Sequence, residues 1–372
     1  MTTLSVAPLT RVDGPPRRTA TAPPEERGLA RDEVRLLVVT DEGVTHARFR
    51  DLPSHLRPGD LVVVNNSATL AAELDGRRVL EGRPAPVVVH AATRLDDDTW
   101  VVEVRTAPDA ARAILDLEPG ERIQLADDVQ LRLLAPHPRP TSSPTGHGNR
   151  LWRVSVTGPR TLDEHLARHG RPIAYGYLDR RYPLAAYQTV FASRPGSAEM
   201  PSAARPFTSQ LVTRLICDGV GVATVTLHTG VSSQESGEAP QAEWRDVPAV
   251  TARLVTATRA EGGRVVAVGT TVARALESAV GPDGLVHPAR GWTDRVVSRD
   301  DPPRVVDGLV TGWHDPDASH LLLVEAVAGP DLTQRAYDAA VAGGYLWHEF
   351  GDAALLLPGS GPTGLASTHD SC

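Results

Sequence analysis

Lysine does not occur in the 372-residue chain; all 38 basic residues are arginine. Its absence excludes Schiff-base catalysis and the lysine that grips phosphate in a Walker-type loop. Any phosphate contact falls to arginine, histidine, hydroxyls or backbone N–H groups. Cysteine is almost missing as well. Cys217 follows an apolar run and Cys372 is the last residue, a placement that suggests neither a disulfide framework nor a cysteine zinc site. No stretch approaches membrane-spanning length and the first residues carry no apolar signal core, so the expected location is the cytoplasm, with no membrane partner. The net charge of −8 provides no global basic field for nucleic acid; a local basic patch stays open.

What is present is the composition of a soluble protein: 41% hydrophobic and 23% charged residues. The length suits about two domains. One stretch organises the rest, Gly262 to Glu277. Arg264 to Val268 is a short branched apolar run, the mark of a buried strand. Gly269 frees the backbone for a tight turn, Thr270 and Thr271 are good N-caps, and Val272 to Ser278 reads as a helix. A strand, turn and helix in this order present backbone N–H groups that suit an anionic or polar ligand, although many α/β proteins turn this way for structural reasons.

Residues 1–22, rich in Pro, Arg and Thr, are expected to be disordered. Arg35–Thr40 and Val44–Arg50 read as paired strands around a turn. Leu61–Asn66 is apolar on both faces and ends in two asparagines, as a buried strand facing a site would. Short alternating runs then recur at 86–90, 100–105, 122–125, 129–134 and 151–156, separated by turns such as Pro119-Gly120. Segments 23–70 and 157–372 are therefore expected to form an α/β main domain, with 71–156 inserted as an all-β, barrel-like second domain. Arg171 to Pro183 holds Tyr175, Tyr177, Arg180 and Arg181. This segment is either a linker or a place where tyrosines stack on bases while arginines meet phosphates.

Several stretches together resemble the S-adenosylmethionine:tRNA ribosyltransferase-isomerase family of queuosine biosynthesis. They include Tyr187-Gln-Thr-Val-Phe-Ala192, Gly196-Ser197 with Pro201-Ser-Ala203, Thr226-Leu-His-Thr-Gly230 and Val266 to Glu277. Gly291-Trp-Thr-Asp294, Val305 to Thr311, Gly351-Asp-Ala353 and, nearer the N-terminus, Gly59 to Asn65 belong to the same set. The resemblance runs from about Pro23 to Leu357 and implies the same architecture. It also implies transfer of the ribosyl part of S-adenosylmethionine, as substrate, to a 7-aminomethyl-7-deazaguanine base at the tRNA wobble position. Epoxyqueuosine forms, and adenine and methionine leave.

The chain departs from the family at Pro201-Ser-Ala-Ala-Arg-Pro-Phe-Thr208, where the family has Pro-Thr-Ala-Gly-Leu-His-Phe-Thr, and at Trp313-His-Asp-Pro-Asp-Ala318, which lacks the family's lysine. These changes keep two other readings open: a transferase with another acceptor, and a non-catalytic binding paralogue.

The reaction needs a base near its own pKa, a grip on the sulfonium substrate and a polar pocket for adenine. His228 and His314, in the matched motifs, are the candidate catalytic residues, each alternatively a structural histidine. Glu235, Glu238 and Glu243 are rivals for the base. Gly269, Thr270, Thr271, Arg274 and Asp307 are the candidate substrate-binding residues; Arg274 and Glu277 are also spaced to pair on one helix. Tyr175, Tyr177, Arg180 and Arg181 are the candidate tRNA contacts. The histidines lack metal-ligand spacing, so no metal is expected. The chain is expected to be a monomer.

Overall fold

The computed structural model describes residues 7–12, 18–80, 83–140, 148–231, 241–314 and 320–359. Before the barrel come β1 (Arg18–Thr19), β2 (Arg35–Thr40), β3 (Gly43–Arg48), β4 (Leu61–Asn65) and β5 (Ser67–Thr69). Six strands follow: β6 (Glu73–Leu80), β7 (Arg83–Arg94), β8 (Trp100–Thr106), β9 (Arg122–Gln124), β10 (Gln130–Pro136) and β11 (Leu151–Thr157). They close in the order β10-β11-β8-β7-β6-β9. Alternate residues such as Val87, Val89 and Ala91 of β7 point inward and pack with Val102, Val104 and Trp152, the period-two pattern of a strand with one face in a core.

The chain returns through α1 (Leu162–His169), β12 (Arg194–Ser197), α2 (Ser209–Cys217), β13 (Gly221–Leu227), β14 (Glu243–Val247) and α3 (Ala249–Ala260). It ends with β15 (Val265–Val268), α4 (Thr270–Glu277), β16 (Ala289–Thr293), β17 (Gly308–Gly312), α5 (His320–Ala328), α6 (Pro330–Ala342), β18 (Leu346–Trp347) and β19 (Ala353–Leu357). Nine of these strands form one sheet, ordered β16-β14-β13-β4-β15-β17-β19-β2-β3. Its centre, β13-β4-β15-β17, is parallel. Leu61 and Val63 of β4 pack into the core on one face, and Val62 and Val64 into the core on the other. A parallel strand covered on both sides has no polar face, hence its unbroken apolar sequence.

Two local expectations change. Disorder up to residue 22 does not hold for the described part of that segment. The amides of Leu9 and Thr10 donate to Glu325 Oε1 at 2.8 and 2.6 Å, β1 pairs with β18, and Ala20 and Ala22 are buried. The buried carboxylate of Glu325 needs donors, and this segment supplies them. Residues 1–6 and 13–17 lie outside the described residues. At α4 the cap is Gly269 rather than a threonine. With φ 91° and ψ 154° it occupies a region open almost only to glycine, so the helix starts two residues earlier, at Thr270.

Candidate active site

The chain enters the parallel centre at β4, moves out to β13 and crosses back over β4 to β15. This reversal opens a crevice at the carboxyl ends of the strands, the usual ligand position of an open α/β sheet. Asn65 closes its base. Buried at the end of β4, its side-chain amide donates to Leu227 O at 2.8 Å and to Thr271 Oγ1 at 3.3 Å, and its Oδ1 accepts from the amides of Ser67 and Leu227. One side chain thus ties β4, β13 and the start of α4 together.

Above lies a cavity of about 420 Å³. It is lined by Gly269, Thr270, Thr271 and Arg274 of the central motif, by Tyr175 and Tyr177, and by His314. Glu199, Glu243, His348 and Glu349 complete its ionisable wall together with Arg295 and His320. The volume falls in the range of small-molecule sites, about 300–1,000 Å³.

Both arginines in this wall serve the protein. Arg274 is buried and pairs with Glu243 Oε2 at 2.6 Å; its other nitrogens donate to the carbonyls of Gln241, Thr293 and Arg295. Arg295 binds Asp301 through two bonds of 2.8 Å and also donates to Glu277 O. The pairing of Arg274 with Glu277 is not made. Glu277 is fully buried and accepts instead from the amides of Arg304, Val305 and Val306.

His314 stacks on His320 with ring centroids 4.8 Å apart, and its Nε2 lies 3.2 Å from Thr311 Oγ1. Burial, with the neighbouring His320 and His348 adding to it, pulls its pKa down to about 3. The ring is therefore neutral at pH 7 and a weak base. At the opposite wall Tyr175 and Tyr177 stack at 5.7 Å, and His348 covers the other side of Tyr177 at 4.5 Å. The Tyr175 hydroxyl donates to Glu199 and the Tyr177 hydroxyl to Glu349. Burial raises the Glu349 carboxyl to about 7, with the charge of Glu199 pushing the same way against the Tyr177 hydrogen bond.

Four of the residues singled out in the sequence, Asp307, Arg180, Arg181 and His228, stand outside the cavity lining. Asp307 accepts from the amide of Val265 at 2.9 Å and faces Arg259. Val265 starts β15 while Gly269 follows its end, so Asp307 lies at the far edge of the sheet, roughly 13 Å of strand away. Its carboxylate fastens the strand's start. Arg180 and Arg181 lie outside the cavity lining and are held by Glu26 at 2.5 Å and Glu73 at 2.7 Å. Tyr175 and Tyr177 face the cavity.

His228 is not among the lining residues. Its Nδ1 lies 2.8 Å from Ser67 Oγ, its ring stacks on Trp244 at 5.2 Å, and Gly196 passes so close that a Cβ there would come within 2.6 Å of it. Burial, then the charge of Arg194, lowers its pKa to about 4. It is a neutral, wedged imidazole beside the site. Glu235 and Glu238 lie outside the described residues; Glu243 lines the cavity.

Sequence reasoning missed Glu199, His348 and Glu349. The available signal was position: Glu199 stands two residues before Pro201-Ser-Ala203, and Glu349 two before Gly351-Asp-Ala353. Among the described residues, no group of three or more His, Cys, Asp or Glu is arranged to hold a metal, and no helix is long and apolar enough to cross a membrane.

A sequence model of the queuosine biosynthesis protein family matches residues 12–356. An S-adenosylmethionine:tRNA ribosyltransferase-isomerase from Bradyrhizobium sp. strain BTAi1 is 36% identical over 352 residues, covering 90% of this chain and 94% of the relative. The enzyme of the same name from Gloeobacter violaceus is 36% identical over 355 residues, covering 93% and 94%. A crystal structure of S-adenosylmethionine tRNA ribosyltransferase from Thermotoga maritima shares 28% identity with a TM-score of 0.49, over 93% of this chain and 98% of that one. By the span of the family match and the identity to these relatives, the chain belongs to the queuosine biosynthesis protein family.

Proposed function

We propose that this chain is an S-adenosylmethionine:tRNA ribosyltransferase-isomerase. It transfers the ribosyl moiety of S-adenosylmethionine to 7-aminomethyl-7-deazaguanine in tRNA and isomerises it to epoxyqueuosine, releasing adenine and methionine. The observation that carries this reading is the family match across nearly the whole chain, joined to a cavity lined by the central Gly269-Thr270-Thr271 turn.

The chemistry of the cavity supports it. S-adenosylmethionine is a sulfonium cation with an ammonium group. The carboxylate of Glu199 offers it negative charge, while Arg274 and Arg295 are already bound to Glu243 and Asp301. The Gly269 turn and the first turn of α4 suit polar groups of the substrate. Tyr175, at the end of the stack it forms with Tyr177, suits stacking of a planar base from the tRNA. Arg180 and Arg181 lie at the surface next to this wall in sequence, where phosphate would exchange with Glu26 and Glu73. His314 lines the same space as a neutral imidazole, able to accept a hydrogen bond or a proton only weakly. His228 acts through Ser67 and Trp244 as a positioning residue. On this reading the enzyme works in the cytoplasm as a monomer.

The test is adenine release. With S-adenosylmethionine and tRNA carrying the 7-aminomethyl base, adenine should appear over time; without that tRNA it should not. Adenine release that ignores the tRNA, or none in its presence, would contradict the proposed acceptor.

A further inference from the structure

The cavity wall holds a carboxylate fixed by a phenol within an aromatic stack. Tyr177 lies between Tyr175 and His348, almost parallel to both, with interplanar angles of 16° on each side. Its hydroxyl donates to Glu349. His348 has a left-handed backbone, φ 71°, and the Gly351 amide closes the turn onto its carbonyl at 3.0 Å. That turn carries Glu349 to the cavity wall beside the tyrosines. The stack fixes the phenol and the phenol fixes the carboxylate, so a planar ligand against this wall would have its substituent at an oriented acid–base group.

Resting on the ribosyl-transfer reading above, we infer that Glu349 binds the primary amine of the acceptor as an ammonium ion and takes its proton, with Tyr177 as the positioning residue. An ammonium nitrogen has no free electron pair and cannot form a bond to carbon. In the step, one N–H bond breaks, its electrons stay on nitrogen, and an O–H bond forms on the Glu349 carboxylate. The neutral amine then carries a lone pair free for bonding to carbon.

Acidity favours this residue over an ordinary carboxylate. An alkylammonium resembles lysine, near pH 10.4, so an ordinary glutamate lies about six pH units below it. Glu349, raised to about 7 by burial, lies only about three below, and desolvation in the cavity lowers the ammonium further. The groups facing Glu349 are Tyr177, Tyr175, Tyr187, Glu199, His348 and Arg205. Tyr177 and Tyr187 are raised well above the usual phenol range, burial first, and remain hydroxyls. Arg205 is bound to Glu25 at 2.9 Å. Glu349 is the carboxyl that burial raises to about 7 beside these tyrosines.

The test pairs a binding arm with a kinetic arm. In the first, calorimetry compares free 7-aminomethyl-7-deazaguanine with 7-methyl-7-deazaguanine, which lacks the amine, on wild type and on Glu349→Gln. Wild type should prefer the amine by on the order of 10-fold or more, and Glu349→Gln should lose that preference while S-adenosylmethionine still binds. This arm needs no turnover, so it holds even if the proposed reaction is wrong. In the second, the pH profile of adenine release should show an acid limb near 7 in wild type. Tyr177→Phe keeps the ring but removes the hydrogen bond that stabilises the carboxylate, so the limb should move to higher pH. Glu349→Gln should lose on the order of 10²-fold or more of the rate. Equal affinity of wild type for both bases, or an amine preference and acid limb unchanged in Glu349→Gln, would overturn the inference. Absence of turnover in wild type with the amine preference intact would overturn only the reaction.

Discussion

Arg274 and Glu243 meet at 2.6 Å in the cavity wall, the first from α4 and the second from the antiparallel strand β14. The arginine is buried, and its remaining nitrogens bond to carbonyls on both sides. It joins the strand–turn–helix unit to the edge of the sheet. Glu243→Ala would leave a buried guanidinium without its anion, at a cost of about 3–5 kcal/mol. A urea titration of the variant should show the loss, and Glu243→Gln, which keeps an acceptor, should lose less. Equal stability of all three proteins would remove the pair from the structural account.

Gly269 provides a second test. A side chain is strained at φ 91°, although its Cβ would meet that of Ala203 only at ordinary contact distance, 3.4 Å. Gly269→Ala should destabilise the fold by about 1–3 kcal/mol. It should also weaken S-adenosylmethionine binding, because Thr270 and Thr271 follow directly at the cavity. Calorimetry returning wild-type affinity would place the substrate away from this turn.

The two depressed histidines set a pH dependence with a defined sign. An unfolded imidazole takes up its proton near pH 6.5, while folded His228 and His314 do so only near 4 and 3. Between those values the unfolded chain binds more protons, so stability falls as pH drops from about 6.5 towards 3. Their contribution is complete above 6.5. His314→Gln should flatten part of this slope when urea midpoints are compared from pH 4 to 7. Parallel curves for variant and wild type would show that His314 is not held neutral by its surroundings.

For the tRNA, Arg180→Ala with Arg181→Ala should lower affinity modestly and reduce the salt slope by about one to two, since each arginine neutralises at most one phosphate. Filter binding across salt concentrations measures this. An unchanged slope would leave the segment as a support for Tyr175 and Tyr177 and for the Glu26 and Glu73 ion pairs.

How much of this was legible depends on the range of the interaction. The Leu61–Asn65 and Val265–Val268 strands announce themselves because both faces are buried, and the Gly269 turn because few residues accept its backbone. Helix α3 does not. Val250, Thr251, Val255, Thr256 and Thr258 are poor helix formers, and packing of Thr251, Ala252 and Val255 against the sheet decides the matter. Strands β14 and β16 were also missed, being short and joined to the sheet only by antiparallel pairing. The tyrosines of residues 171–183 were seen, but not their direction, which depends on Glu199 and Glu349. The 172 positions separating Tyr177 from Glu349 carry no local pattern that reports their contact.

The most direct test of the central claim follows the ribosyl carbons. S-adenosylmethionine labelled with 13C in the ribose is incubated with the protein and tRNA bearing 7-aminomethyl-7-deazaguanine. The digested tRNA is then read by mass spectrometry alongside released adenine. The account predicts five labelled carbons in a new epoxyqueuosine nucleoside, in a one-to-one ratio with adenine. Labelled carbon found only in unreacted S-adenosylmethionine or in small molecules, with the tRNA base unchanged, would contradict it.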